Sequence, residues 1–174
     1  WQFAEAVRGL ATACRELGVP VVSGNVSLYN DTDGKSIFPT PTVGVVGLVP
    51  DATRRMGMSF SEYGDVVAFL GTSGGALGGS EWLHAQGKTA GLPPRLDATA
   101  ELALQKVLRR LAREGLIHSA HDCSEGGLGV AVAECCIAEP SRQMGAVLDV
   151  GPPAGVRPHA WLFGEEPSRA VIAF

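Results

Sequence analysis

Charge is scarce in this sequence: Asp, Glu, Lys and Arg make up 18% of 174 residues, and the formal net charge is −4. Without a basic excess there is no global attraction to phosphate polymers or anionic bilayers. No nucleic acid partner is expected. The one basic grouping, Lys106, Arg109, Arg110 and Arg113, recurs along a predicted helix and reads as its solvated face. Long apolar runs are also missing. Nothing approaches the roughly 20 residues that span a membrane, and no charged-then-apolar leader opens the chain, so no membrane partner is expected and a cytoplasmic location is. Cysteine occurs four times, at Cys14, Cys123, Cys135 and Cys136, without a Cys-x-x-Cys pair or a Cys-His spacing suited to zinc. Cys135 and Cys136 are adjacent on a predicted helix and cannot jointly face one metal. Small buried thiols in a reducing compartment are the expectation.

What is present is apolar side chain, 45% of the chain, enough at this length for one core or for one domain plus the edge of another. The sequence opens on Trp1 inside a helical pattern and stops at Phe174 inside a strand-like run, as expected of a piece of a longer protein. Phe3, Val7, Leu10, Cys14 and Leu17 share one helical face over residues 1–17, closed by Gly18 and Pro20. Val21-Val22 form a short predicted strand, and Ile37 to Val49 a longer one whose Pro39 and Pro41 confine that half to an edge. A domain boundary is placed near residue 56, giving domains 1–56 and 57–174. Val66 to Leu70 reads as a strand covered on both faces. A glycine-rich loop, residues 71–80, leads to a short helical piece from Glu81 to Gln86. The strongest helix covers 97–114, with Asp97 as N-cap, a stripe of Leu104, Val107, Leu108 and Leu111, and Gly115 as terminator. Leu116-Ile117 begin a strand, a helix runs from about Gly127 to Ala138, Met144 to Val150 is a strand, and Arg169 onward is another. Strands alternating with helices imply an α/β layer structure.

Several motifs have an obvious reading that their residues do not support. Gly74 to Gly79 has P-loop spacing, but Ser80-Glu81 follow where Lys-Ser/Thr is required, so the main charge for terminal phosphates is missing. Close strand-to-helix packing is the expected use of these glycines, with backbone N–H contact to an anion as the alternative. Asn30-Asp31-Thr32-Asp33-Gly34 resembles half a calcium loop, but Tyr29 would be its first ligand; a polar turn remains. His121, Asp122 and Ser124 lie close in sequence without a G-x-S-x-G elbow, and Ser124 reads as an N-cap for the next helix, with an auxiliary anion or magnesium contact by Asp122 as the alternative. Gly24-Asn25-Val26-Ser27 directly follows a predicted strand. Glycine permits close backbone approach, the Asn25 amide oxygen suits a hard cation, and Ser27 can hydrogen-bond a phosphate or an amide. The same residues could equally make a capped turn.

Read together, Gly24-Asn25-Val26-Ser27-Leu28-Tyr29-Asn30, the Ile37 to Leu48 run, Leu77 to Trp82 and His121 to Gly127 resemble, in order, the second half of the synthetase subunits of the phosphoribosylformylglycinamidine synthase family. The resemblance covers nearly the whole chain, and its first two segments are the most specific. It implies a mixed sheet layered with helices, the carboxy-terminal domain of the aminoimidazole ribonucleotide synthetase superfamily, preceded by the end of the paired amino-terminal domain. It also implies ATP and magnesium (Mg2+) as cofactors and formylglycinamide ribonucleotide as substrate. The implied partners are a glutaminase subunit or domain supplying ammonia and the remaining domains of the parent chain. Carried over by motif, Gly24 contacts ATP, Asn25 binds magnesium and Ser27 contacts the ribonucleotide. The family's catalytic histidine has no counterpart in this chain, so no catalytic residue is assigned.

Some positions depart from the family pattern. Asp31 stands where glutamate is usual and Glu125 where aspartate is common, and both keep the charge. Glu165-Glu166-Pro167-Ser168 differs more from the substrate-binding Glu-Ser-Gln run of the first carboxy-terminal unit, so substrate contacts are not transferred to it, nor metal binding to Asp122. Two other readings compete: a non-catalytic docking module of a larger assembly, and another ATP enzyme of the same superfamily. The Ser27-Leu28-Tyr29-Asn30 continuation argues against the second.

Overall fold

A computed structural model describes residues 1–27 and 31–174. The chain divides into two compact units, Trp1–Val49 and Pro50–Phe174.

The first unit opens with helix α1, Gln2–Leu17, which ends where Gly18 takes a left-handed conformation (φ 67) and its N–H bonds the Cys14 carbonyl. Only a residue without Cβ enters that region at little cost. Two short strands, β1 (Asp31–Thr32) and β2 (Lys35–Ser36), pair antiparallel across an Asp33-Gly34 turn with both φ values positive. That is the twist-matched two-residue hairpin turn, and it is the form the polar Asp33-Gly34 break takes. The strands expected at Val21-Val22 and over Ile37–Val49 do not form: the described backbone there has no regular structure and is exposed. Val43, Val45, Val46 and Leu48 all face solvent. A strand is a paired object, and apolar alternation without a neighbour leaves the ladder unmade.

The second unit holds the core. After a 3-10 turn at Ala52–Arg54 come β3 (Val67–Leu70), α2 (Glu81–His84), α3 (Ala98–Glu114), β4 (Ser119–Asp122), α4 (Gly127–Ile137), α5 (Pro158–Phe163) and β5 (Ala170–Ala173). The sheet order is β3-β5-β4. The last strand lies in the middle, antiparallel to both neighbours, with Phe69 and His121 both opposite Val171. All four residues of β5 are buried, as a continuously apolar strand at a sheet centre requires. Val171 and Ala173 join Leu128, Ala131, Val132 and Cys135 of α4 and Trp161 of α5 in one cluster, with Val67 and Phe69 packed against it.

Helix α3 begins as its sequence dictates. The Asp97 carboxylate accepts hydrogen bonds from Thr99 N (2.9 Å) and Ala100 N (3.1 Å), and Gly115 closes the helix at φ 66. Two expectations fail in this unit. Met144 to Val150 is not a strand, and Val147 is exposed; Met144 is tied in by its N–H bond to the Cys136 carbonyl, and Ala146 packs against the core. The strand expected from Leu116-Ile117 begins at Ser119 instead, after the Leu116 N–H is drawn back to the Leu111 carbonyl.

Candidate functional site

Gly24, Asn25 and Ser27 lie on the irregular, exposed segment that follows α1. A Cβ placed on Gly24 would meet nothing within 4 Å, so nothing nearby in the described structure requires glycine there. Such a requirement would have to come from a ligand or from other chain. Leu28, Tyr29 and Asn30, the rest of the motif, lie outside the described residues. Asn25 offers one neutral oxygen, and no group of three or more His, Cys, Asp or Glu side chains able to hold a metal occurs among the described residues. A divalent magnesium ion demands near-octahedral oxygen coordination, so these residues alone do not fit it.

The most developed polar arrangement is in the second unit, around the glycine-rich loop of residues 71–80. Its backbone N–H groups do accept an anion, but the anion is the chain's own. The Glu166 carboxylate receives Gly74 N–H (2.9 Å) and Gly75 N–H (3.2 Å), together with the Ser73 hydroxyl (3.2 Å). Its neighbour Glu165 takes Glu81 N–H (2.7 Å) at the start of α2 and Gly126 N–H (2.9 Å) just before α4. Two adjacent carboxylates therefore fill the positive ends of a loop and two helix starts, where anionic groups are favoured.

Arg169 underpins the pair. Its side chain is fully buried, and its guanidinium donates to the Glu166 carbonyl (2.9 Å) and the Gly164 carbonyl (2.6 Å). Burial pushes the guanidinium below its ordinary pKa, against the opposing pull of the Glu166 and Glu165 carboxylates. A buried cation holding this many acceptors is kept by geometry, and it fixes the 164–169 turn against the loop. Trp82 of α2 stacks on Phe163 (centroids 4.6 Å) and His159 (5.7 Å) of α5, which holds α2 in place for this contact. Glu165 and Glu166 were read in sequence only as a departure from a family run. The available signal was two acids beside a Pro with an Arg three residues on, just before a buried strand.

At the end of β4, the Ser124 hydroxyl donates to Asp122 Oδ2, which holds the Asp122 carboxyl below its usual range against the opposing effect of burial. The hydroxyl does not cap α4, contrary to the sequence reading. That helix starts one residue after Gly126, which is left-handed (φ 77) and carries no side-chain cap; the N–H of Gly126 itself goes to Glu165 in a distant turn. His121 directs Nε2 at Glu134 (3.0 Å) and Nδ1 at Asp122 (3.3 Å). With both ring nitrogens facing carboxylates, neither stands ready to take a proton from Ser124, so a nucleophilic triad is not assembled. All four cysteines are free. Burial drives the Cys123 thiol up to about 11 and the Cys135 thiol up to about 12, so both stay protonated and unreactive near neutrality.

The comparisons with known proteins agree on the class. The AIR synthase related protein C-terminal domain matches residues 62–174 and the N-terminal domain of the same family matches residues 1–49. The chain belongs to the AIR synthase related family, in which the layered helices and sheet are expected. The relatives it matches are phosphoribosylformylglycinamidine synthase subunits PurL: that of Anaeromyxobacter sp. (strain Fw109-5) is 53% identical over 181 residues, covering 99% of this chain and 23% of the relative. The PurL subunit of Moorella thermoacetica is 44% identical, with 99% and 23% covered. The chain thus spans under a quarter of these relatives. A solved structure described as T. maritima PurL complexed with FGAR aligns with TM-score 0.50 at 22% identity, over 70% of this chain and 21% of that one, and supports the fold. Among the described residues, no helix is long and apolar enough to cross a membrane.

Proposed function

We propose that this chain is one part of an ATP-dependent ligase of purine biosynthesis that converts formylglycinamide ribonucleotide and glutamine-derived ammonia to the amidine. The observation that carries this reading is 53% identity to a PurL subunit over 99% of the chain. On this reading residues 1–56 are the end of a second amino-terminal synthetase-like domain and 57–174 most of the second carboxy-terminal one. A glutaminase subunit or domain and the rest of the parent chain are the partners, in the cytoplasm.

Gly24 lines the ATP site, Asn25 supplies one magnesium ligand and Ser27 contacts the ribonucleotide. Magnesium would supply charge neutralisation on the transferring phosphoryl group, its other ligands coming from beyond this chain. What these residues do themselves is limited to contact and orientation: a glycine that lets a ligand approach the backbone, one amide oxygen and one hydroxyl. They hold no general base. The chain alone is therefore inactive in amidine formation.

The test is amidine formation from formylglycinamide ribonucleotide, ATP and ammonia. It is run on this chain and on a parent protein containing it, with and without Asn25→Ala. The expected result is no turnover by the chain, turnover by the parent, and a loss of roughly a hundredfold or more in kcat/KM for Asn25→Ala, in the range that lost transition-state electrostatics produce. Full activity of the Asn25→Ala parent would overturn the assignment of Asn25, and turnover by the chain alone would overturn its incompleteness.

A further inference from the structure

The 3-10 turn Ala52–Arg54 and the residues after it pack beside the end of α3, and between them lies an open cavity of about 520 Å3. That volume falls within the ~300–1,000 Å3 range of small-molecule sites. Its lining includes three arginines, Arg54, Arg55 and Arg113, against one acidic residue, Glu114, in a chain whose overall charge is −4. The local sign is opposite to that of the molecule.

Whether those charges are available depends on what already holds them. Arg54 is engaged: Nη1 donates to the Arg113 carbonyl (2.8 Å) and Nε lies 3.6 Å from Asp51. The lone carboxylate is also engaged, since Glu114 accepts from Arg110 at 2.9 Å. His118, also in the lining, is turned by Nδ1 to Asp65 (2.9 Å). Arg55 and Arg113 have no side-chain hydrogen bond or ion pair among the described residues. Two of the three arginines that line the cavity are therefore uncommitted.

A helix C-terminus carries partial negative charge and would oppose an anion. At α3 that charge is largely answered, because Gly115 N–H and Leu116 N–H turn back to the Ala112 and Leu111 carbonyls and Arg54 takes the Arg113 carbonyl. The planar fork of a guanidinium matches the oxygens of phosphate in pairs, and two forks favour a group with more than one negative charge.

We propose that this cavity is a binding site for a small phosphate-bearing anion, held by Arg55 and Arg113. The site does not rest on the ligase reading. The probe is inorganic pyrophosphate, titrated calorimetrically into the full chain at low salt. Saturable one-to-one binding is expected, weakened about tenfold or more in the Arg55→Ala/Arg113→Ala double variant, as loss of charge-assisted contacts implies. Arg109→Ala, on the exposed side of α3, is the control: it retains binding while changing net charge by the same sign. Unchanged far-ultraviolet circular dichroism in each variant confirms that folding is not the cause. Absence of saturable binding, equal affinity in the double variant, or an equal loss in Arg109→Ala overturns the proposal. So does saturable binding of a short polyglutamate peptide without binding of pyrophosphate, which would make the surface one for acidic protein.

Discussion

In the unit Trp1–Val49, Val46 is 99% exposed and Val22 91%; in the unit Pro50–Phe174, Val171 is 1% exposed and Ala173 0%. Both units are written in valine-rich, strand-like segments, and no described residue of the first is buried. The difference is one of partners. Val171 has a strand on each side and α4 and α5 above it, so its apolar surface leaves water at a gain of ~25 cal/mol per Å2. Val46 has no neighbour to cover it within the described structure. The segment that most resembles a family motif, Gly24 to Ser27, thus sits in the unit that buries least. The second unit makes its own core and its own polar cradle.

The largest effect that would break this contrast is at Arg169. Replacing it with Met leaves Glu166 and the Gly164 carbonyl without their buried donor. Breaking a buried pair from one side costs about 3–5 kcal/mol, so urea unfolding of Pro50–Phe174 should show a loss of that size. A change below ~1 kcal/mol would mean that Glu166 is held by the loop N–H groups alone. Next, Leu128→Ala, in a side chain 2% exposed, is expected to cost about 2–5 kcal/mol. Val46→Ala, in the other unit, is expected to stay within ~0.5 kcal/mol of wild type. Comparable losses at both positions would show that the first unit shares the core of the second.

The parts of the fold visible in sequence are those whose cause is local. Helix α3 could be read from Asp97, its leucine stripe and Gly115, and the structure gives the same cap and the same terminator. Helix α1 ends at Gly18 for an equally local reason, and β5 was visible because a run as apolar as Val171-Ile172-Ala173 has to be covered. Most of the misses are long-range. Ile37–Val49 and Met144–Val150 carry strand composition, but pairing depends on a second segment that local pattern does not locate. Ser124 had the chemistry of an N-cap, while the acceptor that serves the start of α4 is Glu165, 39 residues from Gly126. The glycine loop reads chiefly as close packing, with anion contact as the alternative; the structure fills that alternative with Glu166, to which nothing near residues 71–80 points. For the proposed site, Gly24, Asn25 and Ser27 are legible as residue types, on an irregular and exposed segment.

A smaller effect separates local from distant caps. Asp97→Ala removes the acceptor for two N–H groups of α3 and is expected to cost about 1 kcal/mol in thermal or urea unfolding. Glu165→Ala removes the acceptor shared by α2 and α4. Because the same carboxylate ties the 164–169 turn to both helices, its loss is expected to exceed that of Asp97→Ala in the same measurement. Equal losses would reduce Glu165 to an ordinary cap.

The smallest expected effect is a pH dependence at the end of β4. Ser124 lowers the Asp122 pKa from its ordinary 3.8, so the folded state binds that proton less tightly than the unfolded chain. The resulting stabilisation is fully present above about pH 3.8 and is lost as pH falls through the depressed folded value. Ser124→Ala removes the hydrogen bond that is the main cause of the shift. The variant should therefore be slightly less stable than wild type near neutrality, and the two should converge in acid below the folded value. Asp122 is largely exposed, so solvent screening keeps the difference small. Parallel acid-unfolding curves, with the same gap at every pH, would show that Ser124 acts through packing and that the hydrogen bond to Asp122 carries none of the difference.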